Sequence, residues 1–148
     1  INTTTPDPAY NQSGAQGWCN GIIGSSNRFN DGEWLGFNGK TFETIMQFNK
    51  TEALQNVQLH FFQSKGSWVY LPKTVEILSS MDGVNFTLVA KQANFEKAKD
   101  GKFTLNIATP VAQAKYLKII ALPLDKIPAG NAGAGSPAWL FIDEVMVN

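Results

Sequence analysis

The sequence predicts an all-β fold, an antiparallel β-sandwich, and three observations carry that prediction. Seven stretches of seven to nine residues alternate apolar and polar side chains and are rich in β-branched and aromatic types. Turn-forming residues stand between most of them. No segment keeps the three-four apolar spacing of an amphipathic helix over about 11 residues. Strand side chains point alternately to two faces, so period two with one apolar face marks a sheet covered on one side. Many short strands without long helices pack as two sheets around a shared core.

The first 40 residues read as irregular. Residues 1–17 are expected to be a linker and extended segment, because the prolines of Thr3–Pro8 hold their neighbours out of helix. Residues 18–148 are expected to form the single β-sandwich domain. Turn formers crowd Asn20-Gly21, Ser25–Asn27 and Asp31-Gly32, while Tyr10, Trp18, Phe29, Trp34 and Phe37 punctuate the stretch. Such a pattern describes long loops pinned to a core by aromatic anchors. The expected strands are Thr41–Phe48, Asn56–Gln63, Lys73–Ser79, Val84–Lys91, Lys102–Ala108, Ala114–Leu122 and Trp139–Val147. Asp82-Gly83, Asp100-Gly101, Pro110 and the segment Pro128–Pro137 supply turns between them. The connection Asp125–Ala138 is much longer than a structural link requires, and long loops in compact domains commonly carry function.

Composition narrows the chemistry. At 148 residues the chain fits one domain with a full core, and 43% hydrophobic content argues against disorder. Twelve basic residues balance twelve acidic ones, which excludes the basic excess of a nucleic-acid module and of a polybasic membrane-surface segment. No apolar run approaches the ~18–20 residues of a membrane-spanning helix, so membrane insertion is not expected. The lone Cys19 excludes an intrachain disulfide and reads as a buried, inert thiol.

No catalytic constellation assembles from the residue types present, and the chain is expected not to be an enzyme. The only histidine, His60, falls mid-strand, facing away from the apolar set of its own strand, and reads as a surface or packing residue. Asp143 and Glu144 are strand neighbours, expected on opposite faces and so unable to share one substrate bond. The glycine-rich Gly130–Gly135 precedes a strand and does not open a phosphate-binding helix.

Binding chemistry fits better. Trp68 and Tyr70 follow a Lys65-Gly66-Ser67 turn, and aromatic faces at loop tips suit sugar rings, whose C–H faces are apolar. Arg28, the only arginine, shares a polar loop with Asn27, Asn30 and Asp31, suited to bonding hydroxyls. Trp34 and Trp139 read as core. The Asn20–Ser25 loop offers oxygens for a calcium ion, with Glu144 as the carboxylate such a site wants.

Three segments together, Gly21–Gly39 (GIIGSSNRFNDGEWLGFNG), Trp68–Phe86 (WVYLPKTVEILSSMDGVNF) and Ala138–Val147 (AWLFIDEVMV), resemble a known family. It is the discoidin domain, or coagulation factor V/VIII C-type domain, in the form appended to bacterial family-20 glycoside hydrolases (β-hexosaminidases or chitobiases) and related to family-32 carbohydrate-binding modules. The similarity runs from about Trp18 to the C-terminus. It implies an eight-stranded, jelly-roll-like sandwich that binds through loops at one end, with both termini at the other. It further implies a secreted, periplasmic or cell-surface bacterial module, monomeric, tethered to a catalytic domain of the same chain. The expected ligand is a glycan containing galactose or N-acetylhexosamine, contacted by Trp68, Tyr70, Arg28, Asn30 and Asn131. A structural calcium held by Asn20, Ser25 and Glu144 is also implied, although Asn at position 20, where relatives carry Asp, removes a charge. Two other readings are a packing domain without ligand and a lipid- or protein-binding discoidin domain.

Overall fold

The computed structural model describes residues 4–95 and 97–148. Six strands, β1 (Leu35–Asn38), β2 (Phe42–Gln63), β3 (Thr74–Ser80), β4 (Thr87–Ala93), β5 (Gly101–Leu122) and β6 (Trp139–Val147), pair antiparallel in the order β1-β6-β2-β5-β3-β4. No helix among the described residues is long and apolar enough to cross a membrane.

The sandwich comes from one long ribbon folded on itself. β2 and β5 are 22 residues each. Phe42–Gln47 opposes Tyr116–Ala121, and Asn56–Gln63 opposes Gly101–Ala108, with register shifts between the two arms. Such irregularities bend a ribbon and increase its twist. One arm therefore continues into β3 and β4, and the other into β6 and β1. Phe42, Val75, Ile77, Leu117 and Ile119 from the first layer meet Phe37, Leu59, Ile107, Leu140 and Ile142 from the second in one buried cluster. The rings of Phe37 and Phe42, 5.5 Å apart and edge-on, join the layers.

The alternation expected from sequence is correct in place but not in continuity. Thr41–Phe48 with Asn56–Gln63, and Lys102–Ala108 with Ala114–Leu122, are each the two arms of one bent strand. Strand β4 starts at Thr87 because the Asp82 carboxylate accepts the amides of Val84 (2.9 Å) and Asn85 (2.8 Å) and holds them in a turn. Within the 40 residues read as irregular, Leu35–Asn38 is a strand.

The expected linker also differs. Residues 1–3, where that segment begins, lie outside the described residues. Beyond them Pro6 is buried, the Asp7 amide donates to the Gly36 carbonyl at 2.8 Å, and Tyr10 packs edge-on against Phe141 at 4.8 Å. This segment covers the outer face of the β1–β6 layer, where Trp34, Phe62, Val69 and Phe141 form a second buried cluster with Tyr10, Phe29 and Trp139. That layer is thus apolar on both faces. The apolar pair Phe61-Phe62 on β2 serves one cluster with each residue.

Two hydrogen bonds fix the ends. The amide of Asn148 donates to Asn56 at 3.0 Å, placing the C-terminus where the ribbon bends. The amide of Trp139 donates to Trp68 at 2.8 Å, so the Ser64–Tyr70 and Asp125–Ala138 loops meet at the opposite end.

Candidate functional site

Trp68 is the exposed aromatic of this loop end. Lys65–Ser67 form a single 3-10 turn, and Trp68 closes it in the left-handed conformation (φ 66°), its amide bonded to the Lys65 carbonyl. A bulky residue pays strain for that conformation, so the side chain's direction is over-determined by its surroundings. Gly133 supplies the support. A Cβ placed on Gly133 would sit 2.3 Å from Trp68 Cε2 and 2.6 Å from both Cδ2 and Nε1. Near-equal distances to three atoms of the five-membered ring put Gly133 over the ring face. The indole rests on the backbone of the longer loop, and 41% of the residue remains exposed.

Tyr70 departs from expectation. The sequence places it with Trp68 as a loop-tip aromatic able to contact a sugar. The left-handed turn at Trp68 sends the two side chains different ways. Tyr70 is only 5% exposed and packs with Ile127 and Ala138. Its hydroxyl is buried without a hydrogen-bond partner, and burial pushes its pKa up.

Asn131 lies exposed in the same loop as Gly133, with its side-chain amide donating to the Pro128 carbonyl at 3.2 Å. Arg28 and Asn30 are exposed on either side of Phe29, whose ring anchors their loop against Phe141 (5.0 Å) and Phe62 (5.7 Å). That loop meets the start of β5, where the Lys102 amide donates to Ser26 at 3.0 Å. Trp68 and Asn131 therefore belong to one patch, and Arg28 and Asn30 to the neighbouring loop.

The residues implied for calcium are occupied with one another's loop. Asn20 accepts the Ile22 amide at 2.8 Å and donates to Glu33 at 3.3 Å. The Ser25 hydroxyl donates to Asn27 at 2.7 Å, and Glu144 accepts the Gly21 amide at 3.0 Å. Gly24 donates to Asp143 at 2.5 Å, and the Ser25 amide donates to Asp31. The loop presents amide hydrogens to carboxylates, where a cation site needs oxygens converging on one point. Among the described residues no group of three or more His, Cys, Asp or Glu side chains is placed to hold a metal. As placed, these residues do not fit a calcium ion.

Asp143 and Glu144 were expected on opposite faces, and they are not. Leu59 pairs with Val145 and Phe61 with Ile142, so His60 alone opposes both carboxylates across a β-bulge. Both acids are buried and both reach the 20–24 loop. His60, read as a surface or packing residue, is buried beside them. Burial pushes Asp143 up to about 7 and also raises Glu144. Cys19, expected to be buried, is exposed. Its neighbour Trp18 takes the inward position of the short 3-10 turn Gly17–Cys19. Partial desolvation first, and the charge of Glu144 second, push its thiol pKa up, which favours the protonated thiol.

One feature of the loop end escaped the sequence reading. A cavity of about 690 Å³ opens between Tyr70–Lys73, Asn94-Phe95 and Leu124–Pro128. The lysines that line it, Lys65, Lys73 and Lys126, are scattered along the chain, so no local motif marks it.

No protein-family model and no curated protein matches this sequence. Solved structures do match. The C-terminal domain of a chitobiase from Bacteroides fragilis has a TM-score of 0.61 at 19% identity, covering 100% of this chain and 91% of that one. The fold is that of discoidin-like carbohydrate-binding modules. A family-32 module of Clostridium perfringens, solved with GalNAc-β-1,3-galactose, matches at 0.61 and 15% identity over 99% of this chain and 93% of its own. The family-32 module of AlyQ, solved with 4,5-unsaturated mannuronic acid, matches at 0.61 and 12% identity over 100% and 92%. At these identities the likeness is one of fold.

Proposed function

We propose that this chain is a non-catalytic carbohydrate-binding domain that contacts its glycan through the loop end bearing Trp68. The observation that carries the reading is the indole itself, seated on Gly133 and strained into a left-handed turn while a large part of it faces solvent. Core packing does not require an exposed tryptophan there, and a sugar's C–H face gives it a partner. Asn131, Arg28 and Asn30 supply the polar groups that orient hydroxyls. A galactose- or N-acetylhexosamine-containing glycan, a glycoside hydrolase of the hexosaminidase or chitobiase type as the tethered partner, and a secreted, periplasmic or cell-surface setting complete the reading. Within it the domain is a monomer that keeps its enzyme near substrate by effective concentration. Within this reading the amide-to-carboxylate bonds from Gly21 to Glu144 and from Gly24 to Asp143 fasten the loop to β6.

The test is a glycan-array screen of the 148-residue chain, followed by calorimetry of the best ligand against wild type and Trp68→Ala. Saturable binding lost in the variant, with the fold intact, supports the reading. A folded protein that binds nothing on the array overturns it in favour of a packing domain.

A further inference from the structure

The cavity beside the Trp68 loop has its own chemistry. Tyr70, Leu71, Phe95 and Leu124 give it an apolar wall, and at about 690 Å³ it is of ligand-site size. Four of its lining residues are charged: Lys65, Lys73, Lys126 and Asp125. Asp125 is engaged by Lys73, Nζ to Oδ2 at 3.1 Å. Among the described residues no ion pair engages Lys65 or Lys126. Asp100, outside the lining, takes the Lys65 amide at 3.5 Å. The chain as a whole is neutral, so this positive rim is a local concentration of charge.

We propose that this cavity is a subsite for an anionic sugar unit, a uronate or a sugar sulfate, next to the ring stacked on Trp68. The inference rests on the carbohydrate-binding reading above. The C–H face of the pyranose lies on Phe95 and Leu124. Its negative group sits between Lys65 and Lys126. A neutral sugar would leave the lysines without a counter-charge, so the site discriminates by charge as well as by shape.

The test is calorimetric titration of the 148-residue chain with a galacturonic acid trimer, its fully methyl-esterified form, and a sulfated galactose disaccharide. Each is run on wild type, on the double variant Lys65→Gln/Lys126→Gln and on Trp68→Ala. We expect the acid trimer or the sulfated sugar to bind about tenfold or more tightly than the ester, since charge-assisted hydrogen bonds are lost in the ester. The double variant should lose that preference while its melting temperature stays unchanged. Which anionic probe wins identifies the negative group. Equal affinity for acid and ester, or an unaltered preference in the lysine variant, overturns the subsite. If binding still depends on Trp68 in that case, the carbohydrate reading stands. If wild type binds none of these probes or the array glycans, both fall.

Discussion

Nδ1 of the buried His60 lies 3.2 Å from Oδ1 of the buried Asp143, at the bulge where one residue of β2 faces two of β6. Neither atom has an aligned hydrogen bond, and the groups facing them are Lys102 on β5 and Glu144. Burial pushes His60 down, with Lys102 adding to the fall, while burial pushes Asp143 up to about 7 against the pull of the Gly24 amide and Lys102. Both directions favour the neutral forms.

The two residues then act on stability with opposite signs. Folded Asp143 keeps a proton that the unfolded chain releases near pH ~3.9, so its contribution fades as pH rises through about 7. His60 stays neutral in the fold where the unfolded imidazole is charged, so its contribution fades as pH falls below about 6.5. Removing either exposes the other. His60→Gln should show a melting temperature that falls from about pH 5 to about pH 8, and Asp143→Asn one that rises over the same interval. Thermal melts of both variants across that interval decide it, and parallel slopes would contradict the assignment.

Gly133 should not tolerate a side chain. Its φ of +73° and the 2.3 Å approach of an added Cβ to Trp68 make Gly133→Ala both strained and overpacked. The expected cost is about 1–3 kcal/mol, and displacement of the indole should abolish glycan binding even where the fold survives. Denaturant melts with tryptophan fluorescence measure the first, and calorimetry the second. An Ala variant that binds like wild type would mean that the indole does not need its seat.

The fold was legible because period two survives wherever a strand faces the Phe37–Ile119 core on one side. What stayed hidden was non-local. Nothing between Phe48 and Asn56 announces that the chain bends without leaving the sheet, since only pairing with β5 keeps it in register. His60, Asp143 and Glu144 meet through a bulge, and one extra residue reverses the face on which a carboxylate stands. At the loop end, Trp68 was legible as an exposed aromatic after a turn. Tyr70 was not, because a left-handed residue two positions earlier turned it inward. The cavity draws on residues 63–73, 94–95 and 124–128, which only the fold brings together.

Glu144 should act as a fastener for the 20–24 loop without an ion. Glu144→Ala removes the acceptor of the Gly21 amide, and losing a charged acceptor costs about 1–3 kcal/mol. Calcium at millimolar concentration, or a chelator, should leave the wild-type melting temperature where it is. Differential scanning calorimetry of both proteins with each addition checks this. A calcium-dependent rise in wild type, absent in Glu144→Ala, would show that the loop rearranges to offer oxygens after all.

Asp82 organises the β3–β4 hairpin, at the end of β3 where Ser80 pairs with Tyr116. Its carboxylate accepts the amides of Asn85 (2.8 Å) and Val84 (2.9 Å), the Asn85 side chain (2.8 Å) and the Ser80 hydroxyl (2.9 Å). These bonds favour the ionised form, led by the Asn85 amide, and hold the group well below the usual carboxylate range. A depressed folded value gives stability that is fully present above the unfolded value near ~3.9 and is lost as pH falls through that region and below. Asp82→Ala should therefore melt lower than wild type at neutral pH and converge with it in acid, because wild type then loses the same contribution. Glycan binding should be unchanged, since β3 begins on the loop-end side and this turn lies at its other end. Melts from neutral pH to about pH 2 follow the convergence. A constant gap between the two proteins at every pH would show that the turn depends on the shape of Asp82 and not on its charge.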